Sequence, residues 1–216
     1  MAEFFHIKKR VVACICSLLI IALCVFQAYR IERAQLIAGK SFYFLVEKAE
    51  NTEACAYLSY QKGGAGFVLQ EGVVAHSCYT DERDAIMVKE RLSTENEIEL
   101  LVFGGEMIYK KTEDEPFFKG MSTLQSCVQL LNEVANGLTE SLTQQKADAV
   151  LHDIQTVLRG LKKRIVPVNV RFSSFLEEVE QRVGMARKGV IFAKDLRQIA
   201  CFTALGIVNL EKEHGA

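Results

Sequence analysis

The sequence GFVLQEGVVAHSCY, residues 66–79, contains two short runs rich in β-branched and aromatic residues. The runs 66–70 and 73–79 favour β-strands, because such side chains pack well on a pleated surface. Glu71-Gly72 between them suits a tight turn, since glycine adopts a positive φ at no steric cost. The stretch therefore predicts a β-hairpin.

A predicted helix flanks this hairpin on each side. Asn51 or Thr52 can cap a helix that runs to about Gln61, and the glycine-rich stretch 63–66 ends that helix. Residues 82–92 follow a threonine and aspartate capping pair and place their apolar side chains on one side of a helix. The segment therefore runs helix, hairpin, helix.

Two further strands are predicted outside these helices. Residues 42–46 (FYFLV) are aromatic and β-branched, and residues 98–103 (IELLVF) form a second such run. The resulting order is β-α-β-β-α-β, and with both helices on one face of a four-stranded antiparallel sheet it is the ferredoxin-like split arrangement. We therefore expect an α+β fold, with this domain spanning residues 41–112.

This segment resembles a SPOR (sporulation-related repeat) domain. The resemblance comes from the aromatic first strand, a helix rich in Ala and Leu around Ala54 and Leu58, a glycine-bearing turn, and Tyr79 before a polar, capped helix with Ala85 in its first turns. It implies binding of peptidoglycan glycan strands stripped of their peptides, across an exposed sheet face, in division, sporulation or envelope morphogenesis. The chain carries Ser77-Cys78 where members usually have Gly-Pro, and it lacks the long Pro/Ser/Gln-rich linker that usually precedes the domain.

Four strand residues are the candidate glycan-binding set: Tyr43, Gln70, His76 and Tyr79. Sugar rings stack on aromatic side chains, and sugar hydroxyls need hydrogen-bond partners beside them. Phe42, Phe44 and Phe67 are expected to fill the core instead. His76 is expected to be a hydrogen-bonded or surface strand residue, because no nucleophile or paired carboxylate stands at useful spacing along the chain.

Other functions find little support in the sequence. The glycine-rich stretch 63–66 precedes a strand and lacks Gly-Lys-Ser/Thr, so it is expected to be a turn and not a phosphate-binding loop. The four cysteines beyond residue 50 include no CxxC pair, which favours small buried side chains over a zinc site, although their disulfide state stays open. A net charge of −1 argues against nucleic acid. No catalytic residue, metal or cofactor is predicted.

The N-terminal part contains an uncharged apolar run, VVACICSLLIIALCVF, at residues 11–26. With the three residues that follow, it is long enough for a helix to cross a bilayer. A cleaved signal peptide should end in a small-x-small site, and a lipoprotein needs a small residue before its cysteine, but neither is present. Residues 11–29 are therefore predicted to be a transmembrane helix. Its anchoring side chains include Val11, Leu18, Ile20 and Phe26.

The charges around this span indicate its orientation. Three Lys/Arg lie in the short tail 1–10 and two follow the span, a bias toward a cytoplasmic N-terminus. Residues 30–40 are predicted to continue as a juxtamembrane helix that Gly39 ends. The chain is thus expected to be a single-pass protein of the cell membrane, with its folded part outside the cytoplasm and close to the lipid.

Beyond Pro116 the apolar period lengthens to about 3.6 residues, which predicts helices. The acidic stretch 113–116 is interpreted as a linker, and residues 117–216 as an all-α bundle of about four helices. The first is expected to break at Asn136-Gly137, the second to begin near Thr139, and the third to start at a capping box formed by Ser174 and Glu177.

The fourth predicted helix, residues 192–210, is apolar over a wider arc than the others. Lys194, Asp195 and Arg197 leave it too few apolar positions for a second membrane span. It is expected to be the central helix of the bundle, or a surface that packs on another protein.

Two functions follow from these features. In the first, the anchored SPOR-like domain binds cell-wall glycan during division or sporulation. In the second, the SPOR-like fold is structural, and the helices in residues 117–212 recruit an envelope or division protein, so that the chain is an interaction scaffold at the bilayer. The short tether favours the second function and the resemblance favours the first.

Overall fold

The computed structural model describes residues 36–92, 97–105, 108–110, 115–165 and 170–214. The fold of these residues is α+β and mostly helical. Its elements are, in chain order, β1 (Leu36–Ala38), β2 (Ser41–Lys48), α1 (Thr52–Gln61), β3 (Phe67–Gln70), β4 (Val73–Tyr79), α2 (Glu82–Leu92), β5 (Glu99–Gly104), β6 (Ile108–Lys110), α3 (Glu115–Glu140), α4 (Gln144–Ile165), α5 (Val170–Ala186) and α6 (Ala193–His214).

The predicted membrane anchor, with Val11, Leu18, Ile20 and Phe26, lies outside the described residues. Among the helices that are described, none combines the length and the apolar character that a membrane crossing requires.

The main sheet is antiparallel and has the strand order β3-β4-β2-β5. Strand β4 lies between β2 and β3, so the first β-α-β unit is split, and β2 splits the second unit in the same way. The caps that the sequence predicted are present: the Asn51 side chain accepts from the Ala54 N–H at 3.0 Å, and Asp81 Oδ1 accepts from the Arg83 N–H at 2.8 Å.

Helices α1 and α2 cover one face of this sheet, which we call the α1–α2 face. Alternation along β2 places Tyr43 and Leu45 there, and Leu45 packs with Tyr79, Ala85 and Ile98. The side chains that alternate with these along β2, Phe42 and Phe44, point to the opposite face.

Helix α6 covers that opposite face, which we call the α6 face. Phe42 and Phe44 are fully buried there, in one apolar cluster with Met121 of α3 and with Leu196 and Ile199 of α6. The Asn132 side chain of α3 donates to the Cys78 carbonyl at 2.6 Å, which joins the same helical layer to β4. Both faces of the sheet are therefore covered, and the sheet and the helices share a core.

Helix α6 is the central helix of this layer, as its wide apolar arc predicted. Its buried side chains occupy a wide arc of the helix surface: Leu196, Ile199, Ala200, Cys201, Thr203, Ala204, Ile207, Val208, Leu210 and Glu211. Its neighbours are α3, α5 and the sheet. The thiol of Cys201 lies in hydrogen-bond contact with that of Cys78, and burial raises the pKa of the Cys78 thiol well above its ordinary value. All four described cysteines are free thiols.

Three local predictions were wrong. Residues 36–38, expected to end a juxtamembrane helix, form β1, because their backbone groups pair with β6 in the register Leu36–Lys110 to Ala38–Ile108. Asn136-Gly137 does not interrupt α3, which continues to Glu140 while Gly137 packs beside Leu142, so the next helix begins at Gln144 and not near Thr139. Ser174 is not a cap: α5 begins at Val170, whose carbonyl accepts from the Ser174 hydroxyl at 3.1 Å.

A buried carboxylate fixes the connection between β1 and β2. Both carboxyl oxygens of Glu211, at 3.0 and 2.8 Å, accept from the backbone N–H of Lys40. Glu211 is 1% exposed, and this burial raises the pKa of its carboxyl to about 7, against the opposing effect of Lys40. The group therefore holds its proton over a pH range in which an unfolded chain has lost it.

We expect this carboxyl to make stability depend on pH. Between about pH 4.5 and 7 the unfolded chain binds fewer protons than the folded one, so the free energy of unfolding falls as pH rises. Glu211→Gln removes that contribution, and at pH 8 we expect the variant to be the more stable protein by about 1 to 2 kcal/mol. Urea unfolding at pH 4, 6 and 8 measures the difference. Glu213→Gln, two residues further along the helix and exposed, serves as the control, and an equal effect in that variant contradicts the assignment.

Candidate functional site

A cavity of about 210 Å³ opens on the α1–α2 face, between the end of α1, strand β4 and helix α2. Its polar wall consists of Ser59, Lys62, His76, Ser77, Tyr79 and Arg197. Its apolar wall consists of Val88, Leu92 and Ile98. Side chains from both halves of the chain thus meet in it, because Arg197 belongs to α6.

A hydrogen-bond chain centred on His76 forms part of the polar wall. Ser59 Oγ lies 2.9 Å from His76 Nδ1, and His76 Nε2 lies 3.1 Å from Glu47 Oε2. His76 is the extra residue of a β-bulge, since Leu45 pairs with Ser77 while Val46 pairs with Ala75. A bulge re-aims a side chain, and here it directs the imidazole toward α1. Burial lowers the pKa of His76, against the opposing effect of Glu47, so the ring is neutral at pH 7.

The three residues of this hydrogen-bond series, Ser59, His76 and Glu47, are of the types found in a serine, histidine and carboxylate triad. Nucleophilic catalysis requires a hydroxyl that a substrate carbonyl can reach. Ser59 is only 2% exposed, and a Cβ on Gly64 would stand 2.6 Å from its Oγ, so the backbone of Gly64 covers the hydroxyl. These hydrogen bonds therefore position polar groups on the cavity wall, but the Ser59 hydroxyl is not presented as a nucleophile.

Two cations and one unpaired hydroxyl complete the polar wall. Arg197 donates to the Gly63 carbonyl at 2.6 Å and to Asn136 Oδ1 at 3.1 Å, both neutral acceptors. Lys62 lies close enough to His76 to lower the pKa of that ring further. The Ser77 hydroxyl is buried and makes no hydrogen bond of good geometry within the described part of the chain, and it lies near enough to the Tyr79 hydroxyl to oppose the effect of burial, which raises the pKa of that group. The cavity wall therefore carries the positive charges of Lys62 and Arg197 and a buried Ser77 hydroxyl that is free to bond a ligand.

The four predicted glycan-binding residues do not form one platform. His76 and Tyr79 line the cavity, and Tyr43 pairs with Tyr79 in the sheet register. Tyr79 is 6% exposed, and burial raises the pKa of its hydroxyl. Gln70 stands exposed at the end of β3, beside the hairpin turn. The structure therefore brings three of the four together and leaves Gln70 apart.

Sequence reasoning missed most of the cavity. Ser59, Lys62 and Ser77 carry no motif, and Arg197 is separated from Gly63 by 134 residues. The one available signal was that Lys194, Asp195 and Arg197 place charges at the start of an otherwise apolar helix. In the structure these charges join α6 to α1. Asp195 accepts from the Tyr60 hydroxyl of α1, and Arg197 donates to the Gly63 carbonyl in the loop that follows α1.

No protein-family model, no curated protein and no solved structure matches this chain. Its function is therefore inferred from the residues and the geometry described above.

Proposed function

We propose that this chain is a membrane-anchored interaction scaffold. In this proposal the apolar run 11–29 crosses the cell membrane, and the folded part lies outside the cytoplasm. The sheet with α1 and α2 is a ferredoxin-like, SPOR-like unit with a structural role, and the helical surface recruits a protein of the envelope or the division machinery. The observation that carries the proposal is that α6 covers the sheet face on which a glycan strand would have to lie.

The burial of that face is complete at its centre. Phe42, Phe44 and Cys78 are all 0% exposed, and the Phe44 ring meets Phe103 edge to face with centroids 5.3 Å apart. A sugar chain needs aromatic faces that are open to solvent, and removing α6 from this face would expose the shared core. The α6 face is therefore unsuited to glycan binding, and its role is to pack the sheet against the helices.

Four side chains with apolar surface belong to α1 and to the segment that leads into α6, and we call this set the junction patch. It consists of Tyr57, Tyr60, Val190 and Phe192. Tyr57 is 64% exposed, Val190 63% and Phe192 50%. Lys194 Nζ lies 4.1 Å from the centroid of the Tyr60 ring and 5.6 Å from that of Phe192, which places the two rings near each other. Aromatic side chains of this kind are enriched in protein interfaces, so the patch supports partner recruitment.

Photocrosslinking in the native membrane tests this function. A photoreactive phenylalanine analogue replaces Phe192 in the full-length chain, and a matched variant carries it at Val157, which is 44% exposed on α4. We expect a discrete protein adduct from position 192 and none from position 157. The scaffold function is contradicted when position 192 gives no adduct, or when both positions give the same ones.

Glycan binding remains the second candidate function, because His76 and Tyr79 line one cavity. Co-sedimentation of the detergent-solubilised full-length chain with intact and peptide-stripped sacculi separates the two functions. The full chain is required, since a fragment spanning 41–104 would expose the α6 face. We expect no retention on either preparation, and retention on stripped sacculi alone would establish the glycan function instead.

A further inference from the structure

We propose that the cavity on the α1–α2 face binds a small organic acid, a single carboxylate on a compact apolar body. This site is separate from the junction patch and goes beyond the scaffold function. The proposal follows from the charge of the polar wall, from one buried hydroxyl, and from the size and composition of the cavity.

The positive charge of the cavity wall favours an anionic ligand. Lys62 and Arg197 both line it, and neither forms an ion pair with any carboxylate in the described ranges. Glu47, the nearest described carboxylate to His76, lies behind the imidazole and is not part of the wall. The two hydrogen bonds of Arg197 go to neutral oxygens, which leaves its charge uncompensated and other guanidinium N–H groups available. A carboxylate is the acceptor that this planar group pairs with best in two-point contact.

The unpaired Ser77 hydroxyl is independent support for a ligand. Ser77 is 3% exposed and lines the cavity, and its Oγ makes no hydrogen bond of good geometry among the described residues; the Tyr79 hydroxyl, whose pKa burial raises and Ser77 lowers, is a polar neighbour there. Leaving a buried hydroxyl unsatisfied costs about 1 to 3 kcal/mol, so such groups are uncommon and need an explanation. A carboxylate oxygen held between Arg197 and Ser77 would accept from both.

The opposite wall and the volume define the rest of the ligand. Val88, Leu92 and Ile98 offer only aliphatic surface, on which a free phosphate ion would place charged oxygens without partners. An apolar cavity of about 150 Å³ holds a benzene ring. At about 210 Å³, this cavity has room for a ring of that size and one carboxylate beside it.

Binding of such a ligand would also connect separate parts of the fold. Arg197 already bridges the loop after α1, through Gly63, and helix α3, through Asn136. A carboxylate on Arg197 therefore joins the α1–α2 face to the helical layer. Because the ligand binds the folded chain alone, occupancy raises the midpoint of thermal unfolding.

Benzoate is the probe for the test, with benzamide as its neutral counterpart and inorganic phosphate as an anion without an apolar body. Titration of each into the detergent-solubilised full-length chain is followed by the NMR signals of the His76 ring and the Ile98 methyl group. We expect benzoate to bind with a Kd of about 1 mM and the other two to bind at least about tenfold more weakly.

Two variants locate the site. Arg197→Gln is expected to weaken benzoate by about tenfold or more, whereas Arg171→Gln, on the exposed side of α5, leaves it unchanged. Ser77→Ala removes the unpaired hydroxyl without adding volume, so it stays folded and is expected to bind benzoate several-fold more weakly. The inference is overturned when benzamide or phosphate binds as tightly as benzoate, when benzoate does not bind, or when Ser77→Ala binds it unchanged. None of these results alters the crosslinking expected at Phe192, so the two proposals fail separately.

Discussion

Phe44→Ala is expected to lower the free energy of unfolding by about 3 to 5 kcal/mol, the usual cost of removing a buried phenylalanine ring. Phe44 is fully buried and belongs to the cluster that joins β2 to α3 and α6. The cavity left behind would lie between the sheet and the helical layer, beside the Phe103 ring. Urea unfolding of the solubilised full-length chain measures the loss.

Two optical probes show whether the sheet and the helices unfold together. Tyr43, Tyr57, Tyr60 and Tyr79 lie in the sheet or in the helix α1 packed on it, and no tyrosine follows Tyr109, so tyrosine fluorescence reports mainly on the sheet half. Helix circular dichroism reports mainly on α3–α6. We expect coincident transitions in wild type and variant, as in a two-state protein. Phe192→Ala, at a half-exposed ring, should cost less than about 1 kcal/mol. Separate transitions would show that the shared core does not couple the two halves.

Gly104→Ala is the second change expected to have a large effect, about 3 to 5 kcal/mol of lost stability. Gly104 has a φ of +85°, a conformation in which side chains other than hydrogen are strained. An added Cβ would stand 2.1 Å from the Lys40 carbonyl oxygen and 3.2 Å from a methyl group of Val208. The same backbone oxygen accepts from the Gly105 N–H at 3.1 Å, so moving it away from the Cβ would also disturb that hydrogen bond.

Gly189→Ala is the matched control for this substitution. Gly189 lies between α5 and α6, has no positive φ, and an added Cβ there meets nothing within 4 Å. We expect a change within about 0.5 kcal/mol, since the alanine is accommodated freely. Thermal unfolding of the two variants compares them, and similar losses would contradict the steric argument.

The elements that the sequence predicted best are those whose pattern is local. The hairpin 66–79, its two flanking helices and the strands outside them carry period-two or period-3.6 signals over five residues or more, and all are present. The pairing of β1 with β6 was not predicted, because three residues on each side carry no readable period. Asn136-Gly137 misled the prediction of α3, since packing of Gly137 against Leu142 compensates for its poor helix propensity.

The candidate site was less predictable because it depends on distant contacts. His76 and Tyr79 were singled out for glycan binding, and both line the cavity, but their neighbours come from elsewhere. The contact between Ser59 and His76 follows from a bulge that alternation alone does not reveal, and Arg197 arrives from the last described helix. The resemblance to SPOR domains suggested an open sheet face, and nothing in residues 41–104 reveals that α6 would cover it.

The position of α6 also determines when the protein can reach its native state. During synthesis residues 41–104 leave the ribosome first, and their α6 face, with Phe42 and Phe44, has no cover until Ala193–His214 has been made. Exposed apolar strands in a nascent chain are prone to aggregation. We therefore expect the sheet to be prone to aggregation from its synthesis until its last helix has been made.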